Sequence, residues 1–343
     1  MITFIRQTAF VTAVLAVLLQ LQNNVSAQTS MKLVLDWIFQ GQHAPYFLAN
    51  ETGIFKDNGL SVQIDRGFGS GDTISKVAAG AYPVGIADLG SVITFNSRNG
   101  GNKIIAIFQL LNLAPLSIIS LAETKIGNPG DLVGKKIAAP AGDSSRVMFP
   151  VFAKVNNLDP NSVEWIDVTP QLRASLLALK KVDAISAEMH NIINLGELGI
   201  PESDVSVMKY SDFGLKLYGL AFITTPDYAA THKQELTALL RSVVQAWKAT
   251  IRDPKLALAY LKKNQPLIDE KIEMRRFEIL LKETIATDTV VKNGISVIDP
   301  ERLKFTAEVI TKSIGAPMID TTTLFNGAFL PPVADLKLPG VKQ

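Results

Sequence analysis

Short branched apolar stretches alternate with helix-forming stretches along most of this chain, and no other feature narrows the choice of fold as much. Residues 31–37 (MKLVLDW) predict a strand, 46–52 a short helix closed by Gly53, and 60–65 (LSVQID) a second, alternating strand. A glycine-rich turn at 67–72 leads to a helix over 73–79, then strand 84–87, helix 91–98 and strand 103–110. The apolar run 115–121 reads as a buried strand. A second series follows Ala122: strand 135–139, helix 145–155, strand 163–167, helix 169–179, strand 182–187, helix 191–198 and strand 205–209. An apolar strand at 217–224 leads to helices over 226–229, 234–253, 255–264, 269–283 and 300–314. Such alternation predicts an α/β protein whose mainly parallel sheets carry helices on their faces. Crossovers in such sheets are right-handed, and ligands gather at the carboxyl ends of the strands. The residues just after each strand are therefore the candidates for a site.

At 343 residues, 47% of them hydrophobic, the chain has material for about two domains. Its formal charge is only +2, without a basic stripe, which argues against a nucleic-acid partner. Zero cysteines and three histidines exclude disulfide and thiol chemistry and leave little for a transition metal. No nucleophile elbow, zinc-protease motif or phosphate-loop lysine occurs, and no catalytic residue is assigned. At the start, Arg6, the apolar run 8–21 and Val25-Ser26-Ala27 have the pattern of a secretory signal peptide, with cleavage expected after Ala27. The run is shorter than the roughly 20 residues of a spanning helix.

Two turns stand out. Gly67-Phe68-Gly69-Ser70-Gly71-Asp72-Thr73 joins a strand to a helix, where outward-pointing amides attract negative partial charge and glycine admits a ligand to the main chain. Pro140-Ala141-Gly142-Asp143-Ser144-Ser145 occupies the matching place in the second series. Both turns also suit ordinary helix capping, and the sequence leaves the two readings open. Facing each other, they would clamp a small polar molecule. Asp36 and Trp37 end the first strand, pairing a flat apolar face with an acceptor for amino groups; a core tryptophan is the alternative. Ser91 follows Asp88 at the end of a strand. Glu188 and His190 follow strand 182–187 and face either the cleft or a helix start at Asn191. Tyr218 is placed to wall the pocket, and Arg146 and Arg173 could hold an anion.

The opening LDWIFQGQHAPYFLANETGIFKDNGLSVQI resembles the binding-protein family related to thiamine-pyrimidine biosynthesis proteins and to nitrate, sulfonate and taurine receptors. Gly69-Ser70-Gly71, Gly85-Ile86-Ala87-Asp88 and the run 131–137 (DLVGKKI) carry the resemblance further, over about residues 31–225. It implies a type II, two-lobed Venus-flytrap fold, with lobe one at 31–119 plus 222–343, lobe two at 120–221, and hinge crossings near 117–122 and 218–224. It adds His43 to the candidates and implies the solute-binding component of an ABC-type importer: a monomer in the periplasm, needing no cofactor, with a small-molecule ligand and an inner-membrane permease as partners. In the pyrimidine-binding branch, Asp36 and Trp37 would hold an aminopyrimidine. The acids Asp36, Asp72, Asp143 and Glu188 disfavour an anion, since like charges a few Å apart repel by about 1 kcal/mol even in water. A heterocyclic, pyrimidine-like nutrient is therefore expected ahead of a sulfonate, nitrate or an aromatic acid. A pyrimidine-synthesising enzyme of the same family is disfavoured by the missing cysteines, and a sensor domain stays open.

Overall fold

The structure, a computed structural model, describes residues 28–340; the expected leader at 1–27 lies outside the described residues. Among the described residues, ten strands make two five-stranded sheets. The first holds β1 (Thr29–Val34), β2 (Leu60–Asp65), β3 (Val84–Asp88), β4 (Ile105–Gln109) and β10 (Leu220–Thr224), in the order β2-β1-β3-β10-β4. The second holds β5 (Leu116–Leu121), β6 (Lys136–Ala139), β7 (Glu164–Asp167), β8 (Ala184–Glu188) and β9 (Val205–Lys209), in the order β7-β6-β8-β5-β9.

In each sheet one strand runs against the rest. β10 is antiparallel to β3 and β4, and β5 is antiparallel to β8 and β9, while β1, β2 and β3 are mutually parallel, as are β6, β7 and β8. The reversed strands are the two that enter a sheet from the other half of the molecule. They lie inside their sheets and are buried along their whole length, which is why they read as unbroken apolar runs. The edge strand β2 instead alternates, with Ser61 and Gln63 facing out.

Seven helices matter for the site: α1 (Ala44–Glu51), α2 (Ser70–Ala78), α3 (Leu89–Arg98), α4 (Ser144–Val155), α5 (Arg173–Ala178), α6 (Glu270–Leu280) and α7 (Pro300–Ile314). Their starts follow local capping chemistry. Asp88 Oδ1 accepts from the Ser91 amide at the head of α3, and Asp143 Oδ1 from the Arg146 amide at the head of α4. One apolar cluster includes Val92 of α3, Met148 and Phe149 of α4 and Ile310 of α7, so the C-terminal helix packs on both halves. Among the described residues no helix is long and apolar enough to cross a membrane.

Several boundaries differ from the sequence reading. β1 ends at Val34 rather than Trp37. The Asp36 and Trp37 carbonyls instead accept from the Gly69 and Gly67 amides, at 2.8 and 3.1 Å. The helix predicted from Thr169 begins at Arg173, after a turn that includes Pro170. A π-helical turn at Leu281–Ile285 and a helix at Asp288–Asn293 were not legible in the pattern.

Candidate functional site

The segments that follow β1, β2, β6 and β8 converge between the two sheets. Asp36, Trp37, Gln42, Gly69 and Ser70 from one half and Asp143, Ser144, Arg173, Glu188, His190 and Asn191 from the other line a narrow cavity, with about 290 Å³ of void including its mouth. Only about 20 Å³ of it is free to hold the centre of a water molecule, so the two halves are nearly closed on each other. Across the seam the Gly71 amide donates to Gly142 O at 3.1 Å, so the halves meet main chain to main chain. A Cβ on Gly69 would lie 2.3 Å from Gly142 O, and Gly69 holds φ at +120°; both demand glycine there.

Asp36 is buried and its Oδ1 lies 3.1 Å from His43 Nε2. The Gln40 amide donates to His43 Nδ1 at 3.1 Å, which leaves the imidazole proton on Nε2, aimed at the carboxylate. The arrangement fixes Asp36 against the wall. Across the cavity, Arg173 Nη1 donates to Asp143 Oδ2 and to Ser186 O, at 2.8 and 2.7 Å. Its guanidinium also lies 4.9 Å over the Trp37 ring. Asp143 takes a further bond from Ser186 Oγ at 2.8 Å. Nη1 of Arg173, the one cation lining the cavity among the described residues, is thus already taken by protein acceptors.

Burial dominates the remaining charges. It pushes the Glu188 carboxyl well above the usual range, helped by the neighbouring negative charges of Asp36, Asp143 and Asp88. It pushes His190 well below its ordinary value, with Arg276, His43 and Arg173 acting in the same direction. The site therefore favours a protonated Glu188 beside a neutral His190. Two buried atoms of lining residues, His190 Nδ1 and Gln42 Oε1, have no hydrogen-bond partner among the described residues. Buried polar atoms rarely remain unpaired. The cavity is rich in acceptors and already neutralises its own cation, a combination suited to a ligand that donates.

Of the residues singled out from sequence, Asp36, Trp37, Ser70, Asp143, Ser144, Arg173, Glu188 and His190 line the cavity. His43 stands behind Asp36, and Gly71 and Gly142 form the seam. The others do not line it, and each has structural work elsewhere. Asp72 pairs with Lys76 at 2.7 Å, and Thr73 Oγ1 donates to Leu35 O. Ser91 donates twice to Asp88 Oδ1, and Ser145 Oγ donates to Ala187 O. Tyr218 is fully buried, with its hydroxyl accepting from the Asp299 amide and its ring under Arg302 at 3.9 Å. It staples the return crossing instead of walling the pocket. Arg146 reaches Asp167 at 2.5 Å and also leaves the cavity free. Gln42 and Asn191 were missed: neither directly ends a strand, and no local pattern marks them. Among the described residues no group of side chains could hold a metal ion.

Comparison with known proteins gives a consistent pattern. The formylaminopyrimidine-binding protein of Halalkalibacterium halodurans is 26% identical over 265 residues, covering 75% of this chain and 78% of its own length. A protein of Schizosaccharomyces pombe named as a 4-amino-5-hydroxymethyl-2-methylpyrimidine phosphate synthase is 21% identical, over 64% of this chain and 65% of its own. The periplasmic aliphatic sulphonate binding protein SsuA from Escherichia coli superposes with a TM-score of 0.65 at 14% identity, over 92% of this chain and 94% of its own. The fold is accordingly that of the periplasmic binding proteins. The family described as NMT1/THI5 like matches residues 40–257, more than half of the sequence, and the chain belongs to that family.

Proposed function

We propose that this chain is the solute-binding component of an ABC-type importer, closing on a small amino-bearing heterocycle of the pyrimidine kind. The observation that carries the reading is the acceptor-rich cavity: Asp36 fixed by His43, with unpartnered Gln42 Oε1 and His190 Nδ1 on opposite walls. An exocyclic amino group supplies a donor to Gln42 Oε1, and to His190 Nδ1 in the tautomer that carries its proton on Nε2. An anion would meet Asp36 and Asp143, and would find Arg173 already bonded to Asp143 and Ser186. Family membership and the likeness to a formylaminopyrimidine-binding protein support the same choice.

The reading includes two lobes, 31–119 with 222–343 and 120–221, hinged where the chain crosses near 117–122 and 218–224. At or just before these crossings the two passes of the chain are bonded to each other, Ala114 N to Leu217 O and Gly219 N to Leu111 O. It also includes export, with the mature protein beginning at Gln28 in the periplasm as a monomer, and a role without turnover.

Thermal unfolding against formylaminopyrimidine, 4-amino-5-hydroxymethyl-2-methylpyrimidine, alkanesulfonates and nitrate tests the ligand class. A ligand at a hundred times its dissociation constant adds about 2.7 kcal/mol. A shift with the pyrimidines alone supports the reading; a shift with sulfonates or nitrate alone replaces it with anion capture. Trp37→Ala removes the shift if the ring forms a wall of the site. Chemical conversion of either pyrimidine by the purified protein would move the chain to the enzyme class.

A further inference from the structure

We infer that Glu273 and Arg276 act as a latch that holds the two halves closed behind the cavity; the inference rests on the hinged-closure reading above. The two residues lie one turn apart on α6 and are almost wholly buried, at 7% and 1% exposure. Glu273 Oε2 accepts from Arg276 Nε at 2.9 Å and from the Gly41 amide at 2.5 Å. Arg276 then reaches across: Nη1 donates to His190 O at 3.3 Å and Nη2 to Asn194 Oδ1 at 2.7 Å. Gly41 precedes Gln42, and His190 precedes Asn191; Gln42, His190 and Asn191 are all cavity walls. One ion pair thus grips the main chain behind both walls, while neither of its members lines the cavity. They are positioning residues.

The geometry separates a permanent part from a conditional part. The Glu273–Arg276 pair and the Gly41 bond lie within the half built on β1–β4 and β10, since α6 packs on the Gly41–His43 turn. The bonds to His190 and Asn194 cross to the half built on β5–β9 and exist only when the halves meet. A buried ion pair returns little net stability by itself, because desolvation offsets its attraction. What this pair adds is a pre-oriented guanidinium whose remaining donors are satisfied by closure. Opening strips those two bonds and returns the donors to water, so the latch acts on how long the closed form lasts.

The absence of cysteine from the chain allows clean spin labelling at Gln171→Cys and Leu267→Cys, on exposed residues lining one groove at the junction of the halves. Distances between the labels are measured without ligand and with formylaminopyrimidine, and stopped-flow fluorescence gives association and dissociation rates. Arg276→Lys, which keeps the charge and loses the fork, and Asn194→Leu, which removes only the far acceptor, should each enlarge the long-distance population. Each should also speed dissociation about tenfold with little change in association. Asn194→Asp should restore the Arg276→Lys variant, since a charged acceptor strengthens the bond. Unchanged distance distributions in both single variants, with and without the pyrimidine, overturn the latch, as does failure of Asn194→Asp to rescue. Shifted distributions in a protein that binds no pyrimidine would sink the proposed ligand and leave the latch standing.

Discussion

The Gly71 amide donates to the Gly142 carbonyl at 3.1 Å, joining the turn after β2 to the turn after β6. A methyl group on Gly71 would lie 3.2 Å from Gly142 Cα, closer than the seam tolerates without shifting. Gly71→Ala should therefore penalise the closed form and leave the separate halves untouched. The expected outcome is a loss of about 1 kcal/mol in ligand affinity, roughly fivefold, with an unaltered melting temperature in the ligand-free protein. Calorimetric titration beside thermal unfolding checks it; equal affinity in the two proteins means that the seam is not part of binding.

Among the described residues, Arg173 is the only partner of opposite charge bonded to buried Asp143. Arg173→Leu leaves that carboxylate uncompensated, and breaking a buried pair in this way costs about 3–5 kcal/mol. Arg173→Leu combined with Asp143→Asn should recover much of the loss, because no charge is then stranded. Denaturant midpoints of the single and double variants measure both effects, and a single variant as stable as the parent would contradict the pairing.

Glu188 carries a pH signature. Its carboxyl is raised by burial and by Asp36, Asp143 and Asp88, so the folded state binds its proton more tightly than the unfolded chain does. The associated stability is fully present below the unfolded value near 4.5 and declines as pH rises through the folded value. Glu188→Gln imitates the protonated acid. It should match the parent at pH 4 and exceed it in melting temperature at pH 8; parallel curves across that span would show that Glu188 is ionised in the fold.

Asp88 offers a second test. Burial raises its carboxyl from 3.8 to about 6, and Oδ2 has no hydrogen-bond partner among the described residues. A raised acid loses its contribution between those two values, so the parent should shed about 2 kcal/mol as pH climbs from 4 to 6. Asp88→Asn keeps an acceptor for the Ser91 amide and should flatten that part of the profile. Unfolding by urea at pH 4, 5 and 6 reads the slope directly.

Much of this site was legible because each half repeats one local device, a strand followed at once by polar residues. Asp36, Ser70, Asp143 and Glu188 all follow it, and periodicity places them at strand ends before any fold is known. What stayed hidden depends on distant pairing. Gly41 and Glu273 are 232 positions apart, and His190 and Arg276 are 86 apart, so nothing near either residue announces the contact. Strand direction was equally silent: an apolar run predicts burial, and β5 and β10 are buried the same way whichever way they point. Tyr218, Thr73 and Ser145 show the converse limit. Their position near strand ends and crossings is right for a ligand, and their polar atoms are already bonded to the protein.

The place of β10 in the first sheet also bears on how the chain is made. β10 is the strand inserted between β3 and β4, and β4 has no other strand neighbour in its sheet. During synthesis β4 emerges early and then waits without its partner strand while all of β5–β9 is produced. Only when Leu220–Thr224 follows can the earlier sheet be completed. The half begun first is thus finished last, and Ile105–Gln109 has no partner strand in its sheet until Leu220–Thr224 has been made.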